Sequence, residues 1–330
     1  MKRKIIKQGH STLTITLPSE WSKKFNLKAG SEIDLVEKDN GLFISTEKNS
    51  EEKKAEFNIT DLDIPTIWRY FMAVYRQGYD EIKVSFDPDL KIESPYKFYT
   101  SHRLDLKYKK EREKRTAVEV LHGFVNRFIG LEIVEFGKDY IIVKEMGELT
   151  SKEFDNSLRR VFLIVQQMAE ETLEAIKNNN HSILKHMHDV DINLDKFRDY
   201  CVRILNKIGN KDSNKSALIY SLLSLLELIG DEFKSITHHI ILDFPEAKIN
   251  HLSTLAQQIK EQIDATYDLY YQFDKEKIKT ITDIDKKIYF EVTEKYRKAK
   301  SEEEKEIFHH LRSINKFVMA LLELRIEMEF

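Results

Sequence analysis

Four acidic side chains of this sequence have a spacing that would let them bind a metal ion together. Glu227 and Asp231 are four residues apart within the apolar stretch 225–233, and Asp191 and Asp195 repeat that spacing one predicted helix earlier. Residues four apart lie on the same face of an α-helix. Carboxylate oxygens are hard ligands that suit Mg, Ca, Mn or ferric iron. Together the four acids form a candidate site for a divalent or ferric metal ion.

Whether these acids meet depends on how the two predicted helices pack. A break at residues 209–214 separates the helices, so we expect them to run antiparallel and side by side. Asp195 lies 15 residues before Asn210 and Glu227 lies 17 residues after it. Both acids should therefore have the same depth to within about one helical turn. The alternative is that the acids face solvent and pair with nearby lysines.

Gly230 interrupts the apolar stretch beside two of these acids. A glycine inside a helix costs about 1 kcal/mol relative to alanine. Its presence predicts the close approach of a neighbouring helix or ligand. The acids should flank the apolar seam of this helix, which the spacing places at Leu218, Leu222, Leu225, Ile229 and Ile236.

Other reactive residue types do not combine into an enzyme site. The sequence has no glycine-rich phosphate loop and no convincing Ser/His/Asp arrangement. The adjacent pairs His238–His239 and His309–His310 point to different helix faces, so neither pair is expected to chelate a metal. Cys201, the single cysteine, is predicted to be a core residue and fits a reducing cytoplasm. No apolar run is long enough to cross a bilayer, and no signal peptide is evident.

The charge distribution indicates a small polyanion-binding module at the N-terminus. Residues 1–30 contain seven Lys or Arg residues and a single acid, Glu20, although the net charge of the chain is −3. Residues 1–48 are predicted to form short strands, including a hairpin that turns at Asn40-Gly41. So short a module buries little core by itself, so we expect it to intertwine with a second copy.

The stretch GHSTLTITLPSEWSKKFNLKAGSEIDLVEKDNGLFI resembles the AbrB/MazE/SpoVT family of swapped-hairpin DNA-binding domains. The resemblance implies a dimeric β-barrel whose basic arm and loop contact DNA. The corresponding residues here are Lys2, Arg3, Lys4, Lys7, Ser11 and Thr12. Lys23 and Lys24 are second choices, and the alternative is that these lysines form a solvated face. Contacts to phosphate give affinity without sequence preference.

The rest of the chain divides into an α/β segment and a helical segment. Residues 57–147 alternate predicted strands and helices, and their interruption at 87–115 is predicted to be a solvated helix start or a mobile insertion, with a second nucleic-acid patch as the alternative. Residues 151–245 and 246–330 are predicted to form tandem three-helix bundles. The fold class is therefore multidomain α+β, with a small β-barrel, a small α/β domain and two bundles.

The helical segment resembles PhoU proteins. LLELIGDEFKSI is similar to their signature helix, with Leu228 in place of the usual basic residue, and residues 191–205 are similar to its partner helix. The resemblance implies tandem bundles that regulate phosphate uptake and hold metal on their acidic stripes. Arg312 and Lys316 stand at the equivalent places of the second bundle, so no second metal site is expected. The order of modules resembles the archaeal PhoU-related phosphate uptake regulators.

These features predict a cytoplasmic, homodimeric, DNA-binding transcriptional regulator of phosphate-responsive genes. Its helical half would sense a metal or a partner. The alternative is a PhoU-like adaptor that binds a phosphate transporter ATPase or a sensor kinase and uses the N-terminal module mainly to dimerise. A metallohydrolase that uses the acids of the first bundle is a third alternative, and the chain is not expected to be an enzyme.

Overall fold

The computed structural model describes residues 3–9, 12–38, 41–46, 52–93, 114–147, 149–208, 215–243, 245, 248–299 and 301–330. The chain divides into two compact units, Met1–Glu52 and Lys53–Phe330. Several predicted features lie outside the described residues: Lys2, Ser11, the turn at Asn40 and most of the 87–115 segment.

The N-terminal unit contains two separate hairpins and one short helix. β1 (Ile6–Gln8) pairs with β2 (Thr12–Thr14), and β3 (Ile33–Lys38) pairs with β4 (Gly41–Thr46), both antiparallel. α1 (Ser19–Lys24) lies between the hairpins in the chain. None of the side chains described in this unit is buried. Isolated two-stranded hairpins are at best marginally stable in water, and the side chains that the structure describes in this unit supply no buried core to support them.

The second unit begins with a four-stranded sheet in the order β5-β6-β10-β9. Its strands are β5 (Lys54–Asn58), β6 (Glu81–Ser85), β9 (Leu131–Phe136) and β10 (Tyr140–Glu145), and only the β5–β6 pairing is parallel. α2 (Ile64–Arg76) connects β5 to β6, and a small hairpin of β7 (Lys91–Glu93) and β8 (Lys114–Thr116) leads into α3 (Ala117–Val125).

Alternation and capping explain these elements. Every second residue of β6 and β10 is buried, as the period of two requires for a strand with one face on a core. These side chains pack with apolar residues of α2 and α3. Asp63 caps α2 by accepting a hydrogen bond from the Thr66 amide at 2.9 Å, and Thr116 with Glu119 forms a capping box at the start of α3.

Six long helices complete the second unit. They are α4 (Ser151–Asn178), α5 (Met187–Ile208), α6 (Ser216–His238), α7 (Ser253–Tyr271), α8 (Lys275–Lys298) and α9 (Glu302–Glu327). Helices α4, α5 and α6 contact one another, as do α7, α8 and α9, while α4 contacts α7 and α6 contacts α9. One continuous hydrophobic core runs through all six helices. No helix in the described part of the chain is both long enough and apolar enough to cross a bilayer.

The structure differs from the sequence prediction for the helix around residues 214–242. The α-helical part ends at His238, and the segment His239–Asp243 is π-helical. Its buried face is also displaced from the predicted seam, because Leu223 and Leu226 are buried while Leu218 and Leu225 are only partly buried. The physical reason is that α6 packs against α4, α5 and α9 together.

Gly230 lies where α6 approaches α5 closely. A Cβ atom at this position would overlap Leu194 Cδ2 and would lie 3.6 Å from Met168 Sδ. Gly230, Leu194 and Met168 are all buried. The helix penalty of the glycine is thus offset by close packing of neighbouring side chains.

We expect Gly230→Ala to lower the free energy of unfolding by about 1 kcal/mol. Overpacking costs about 1–3 kcal/mol, and the better helix propensity of alanine returns up to about 1 kcal/mol. Urea denaturation followed by circular dichroism measures the change. Gly123→Ala is the matched control, because Gly123 is also helical but a Cβ there meets nothing within 4 Å, so stability should rise. A Gly230→Ala variant as stable as Gly123→Ala would contradict the prediction.

Candidate functional site

The predicted DNA-contacting residues that the structure describes lie on or beside the first hairpin. Arg3 and Lys4 precede β1, Lys7 lies opposite Leu13 in the β1–β2 register, and Thr12 lies opposite Gln8. All four predicted contacts are exposed. Lys23 and Lys24 are exposed at the end of α1, where Lys24 Nζ lies 5.5 Å from the Phe25 ring centroid. The N-terminal arm therefore presents its positive charge to solvent.

The four predicted metal ligands come together in the second unit, but with cations among them. α5 and α6 pack side by side, so that Lys234 Nζ donates to Asp191 Oδ2 at 2.8 Å and also bonds Asp231. Glu227 Oε2 lies 3.8 Å from an Arg198 guanidinium nitrogen. The two helices therefore converge as predicted, and the positive charge beside the acids comes from the side chains of Lys234 and Arg198.

The α5 stripe continues one turn further than predicted. Asp199 follows Asp195 by four residues and is buried. Its Oδ1 accepts hydrogen bonds from Arg76 Nε at 2.8 Å and from an Arg198 nitrogen at 3.0 Å. Asp195 itself lies 3.7 Å from a guanidinium nitrogen of Arg127. The repeat Asp-x-x-x-Asp-x-x-x-Asp was visible in the sequence, but its arginine partners come from distant segments.

Burial and like charge disturb the titration of this cluster. Desolvation raises the pKa of Asp191 and of Glu227 above the usual carboxyl values. Burial, together with the charges of Asp191 and Asp199, raises the pKa of Asp195 to about 8. Burial opposes the charge of Lys234, but the charges of Asp191 and Asp231 outweigh it and raise the lysine pKa.

As arranged here, the four acids do not fit a metal ion. The Lys234 ammonium group bridges Asp191 and Asp231, between which an ion would have to lie. Among the described residues, the His, Cys, Asp and Glu groups that bring three ligand atoms within 4.8 Å of one another include none of these four acids. Metal binding at this cluster stays a prediction. Arg312 and Lys316, the predicted cationic counterparts, are exposed on α9.

The cluster also joins the α/β region to the helices. Arg76 is the last residue of α2, and Arg127 lies just after α3, stacked 4.6 Å from the Trp68 ring centroid. Their partners Asp199 and Asp195 are on α5. Arg76 and Asp199 thus form an ion pair across the junction between the two parts of the second unit, and Arg127 lies beside Asp195 there.

Comparison with known families bears on the N-terminal unit. Residues 6–53 match the family described as antidote-toxin recognition MazE, bacterial antitoxin. The chain carries a MazE/AbrB-type domain at its N-terminus. The match does not extend to the helical region, for which the resemblance to PhoU stays a prediction. No curated protein and no solved structure matches the chain.

We expect Asp195 to make the wild-type protein less stable as pH rises. Its pKa is about 8 in the folded chain and about 3.9 when unfolded. The unfolded chain thus releases a proton that the folded chain keeps, and stability falls from about pH 4 to pH 8. Asp195→Asn should remove this slope and be about 1 kcal/mol more stable at pH 8.5, a modest figure because about a third of the side chain faces screening solvent.

Thermal melts of both proteins between pH 5 and pH 8.5 measure this difference. Asp189→Asn is the control, because Asp189 is an exposed residue of the same helix. It should leave the slope in that pH range unchanged. A wild-type protein and an Asp195→Asn variant with parallel pH profiles would show that Asp195 does not carry the effect.

Proposed function

We propose that the chain is a homodimeric, DNA-binding transcriptional regulator whose helical region receives the signal. The observation that carries this proposal is the MazE/AbrB-type match of residues 6–53. The exposed cations Arg3 and Lys4 directly precede the matched segment, and Lys7 lies within it. Basic arms on small domains are typical contacts to the phosphate backbone.

Dimerisation is supported by the apolar surface of the N-terminal unit. In the β3–β4 register Leu35 lies opposite Ile44, and Ile33 and Leu42 share that face by the two-residue period. Leu35 and Leu42 are each more than half exposed, as is Leu13 on β2. A second copy packed on these faces would supply the core that the unit lacks, with a gain of roughly 25 cal/mol per Å² of apolar surface buried.

DNA contact is the role that we assign to the arm. A dimer holds two copies of Arg3, Lys4 and Lys7, and each lysine that meets a phosphate releases a counterion. Such contacts give affinity that depends steeply on salt concentration. Choice of sequence would need contacts to base edges in addition.

The assignment to phosphate-responsive genes rests on the resemblance of the helical region to PhoU. The segments 191–205 and 225–233, which carry that resemblance, pack against each other as α5 and α6. Their charge network lies at the junction with the α/β region. In this proposal a change of charge or of bound partner at the network is the signal that the helical region receives.

Two other functions remain alternatives. The description of the matched family names a bacterial antitoxin, which favours an antitoxin-like regulator that uses its N-terminal domain to bind DNA and a toxin partner. The PhoU resemblance alone favours an adaptor for a phosphate transporter ATPase or a sensor kinase. The two alternatives differ from the proposal in the DNA sites that the protein should occupy in the cell.

Mapping of bound DNA across the genome, in cells grown at high and at low phosphate, tests the proposed function. Occupied sites are expected beside genes of phosphate uptake, with an occupancy that changes with phosphate. Sites confined to the promoter of the protein's own operon would favour the antitoxin-like regulator. No bound DNA in either condition would favour the adaptor.

With a DNA fragment found in this way, we expect Lys4→Ala with Lys7→Ala to weaken binding and to flatten its salt dependence. Each lost phosphate contact reduces the slope of log K against log salt by about 0.9. The dimer loses four lysines, two from each arm, so the magnitude of the slope should fall by about 3 to 4. Fluorescence anisotropy at several salt concentrations measures both quantities. The control Lys279→Ala with Lys287→Ala removes the same charge from exposed positions of α8 and should change neither. Affinity retained at physiological salt would remove the arm from the interface.

We also expect Leu35→Asp to convert the dimer into a monomer. A carboxylate in the apolar face of the β3–β4 hairpin would be buried unpaired by the second copy, which costs several kcal/mol. Light scattering after size-exclusion chromatography reports the mass. Val134→Asp, on the exposed surface of β9, is the matched control and should leave the dimer intact. A Leu35→Asp protein that elutes as a dimer would place the interface elsewhere.

A further inference from the structure

Two histidines and a glutamate converge where the end of α6 meets α9. His239 begins the π-helical segment His239–Asp243, and Glu306 and His310 lie one turn apart on α9. One ligand atom from each of the three residues lies within 4.8 Å of the others. The rings of His239 and His310 are 5.2 Å apart between centroids. This group is separate from the acids of α5 and α6 described above.

The environment of His310 resembles that of a metal-binding histidine. Its Nδ1 lies 2.5 Å from Glu232 Oε2 on α6. A hydrogen bond from Nδ1–H to a carboxylate leaves the lone pair on Nε2 and fixes the orientation of the ring, as outer carboxylates do for histidine ligands. Nε2 is buried and has no hydrogen-bond partner among the described residues. A buried nitrogen of this kind calls for a bonding partner, and a metal ion would be one.

The π-helical segment explains why His239 contributes. π-Helical turns are uncommon and occur frequently at functional sites. Here the segment starts at His239, which is partly buried against α9, while its neighbour His238 is exposed. The pair on α9 shows the same difference: His309 is exposed and His310 is partly buried. One histidine of each adjacent pair is thus turned toward the other helix.

We propose that His239, Glu306 and His310 bind a divalent transition-metal ion of the zinc class. Two imidazoles and one carboxylate are donors that suit zinc and its neighbours better than Mg or Ca. Three protein ligands leave a fourth position for water or another ligand. Glu232 acts as a positioning residue through His310, and the half-exposed Glu306 carboxylate has its Oε2 4.0 Å from His239 Nε2. The ion would tie the end of α6 to α9.

Titration of the full-length, metal-free protein with Zn²⁺ against a chromophoric chelator tests the proposal. We expect one tight site per chain at these residues and a rise of several degrees in the melting temperature with Zn²⁺ in excess. His239→Gln and His310→Gln should each weaken binding at least a hundredfold. Glu232→Gln, which touches only the outer nitrogen of His310, should weaken it about 10–100-fold.

His238→Gln and His309→Gln are the matched controls, since each changes the exposed neighbour of a proposed ligand, and both should leave affinity within threefold of wild type. Asp191→Asn with Asp231→Asn should do the same. Circular dichroism of each metal-free variant shows whether it is folded. X-ray absorption of the Zn²⁺-loaded wild type gives a test that needs no variant, with two imidazoles expected around the ion.

The proposal is overturned by any of three results: no stoichiometric Zn²⁺ binding, binding that survives both His239→Gln and His310→Gln, or an absorption spectrum without imidazole. Binding lost on Asp191→Asn with Asp231→Asn but kept in the histidine variants would place the ion at the acidic cluster instead.

Discussion

The second unit depends on one buried guanidinium group. Arg203 of α5 has almost no exposed surface, yet its donors are satisfied by Glu145 at 2.9 and 3.1 Å and by the carbonyl oxygens of Tyr75 and Tyr79 at 2.7 and 2.8 Å. Its guanidinium also lies 4.9 Å from the Tyr75 ring centroid. A buried cation is tolerable only when it is paired and hydrogen-bonded, and four hydrogen bonds do this for Arg203. The arginine therefore fixes α5 against the strands and α2, and this contact positions the rest of the helical region.

Because α5 is held in this way, its acidic residues Asp191, Asp195 and Asp199 contact two neighbouring parts of the structure. Asp199 and Asp195 turn toward Arg76 and Arg127 of the α/β region, while Asp191 turns toward Lys234 of α6. Burial and the charges of Asp191 and Asp199 raise the pKa of Asp195 to about 8. Removing any one cation would leave a carboxylate with less compensation in this desolvated place. The stripe is thus part of the structure of the junction before it is a site for any ligand.

Local patterns in the sequence were sufficient for the elements and for one packing detail. The period of the apolar residues and the glycine at position 230 predicted long helices and a close approach, and both are present. The break at residues 209–214 and the bundle pattern also predicted that α5 and α6 pack side by side, as they do. The pairing of Asp191 and Asp231 with Lys234 agrees with the alternative that the acids pair with nearby lysines. The arginine partners Arg76 and Arg127 could not be predicted, because they are more than 60 residues from the acids in the chain. The contact between His239 and His310 could not be predicted either, because the two residues are far apart in the chain. The members of each adjacent pair do point in different directions, as expected.

The contacts between the six helices divide them into two groups of three, but the two groups share one buried core. α4 to α6 and α7 to α9 each pack among themselves, yet a single hydrophobic core runs through both groups by way of the α4–α7 and α6–α9 contacts. Burial shared in this way makes the stability of each group depend on the other. Anything that binds the folded form of one group therefore stabilises both by mass action. A ligand bound at the α6–α9 contact and a charge change on α5 would therefore act on the same folded body, because α6 takes part in both contacts.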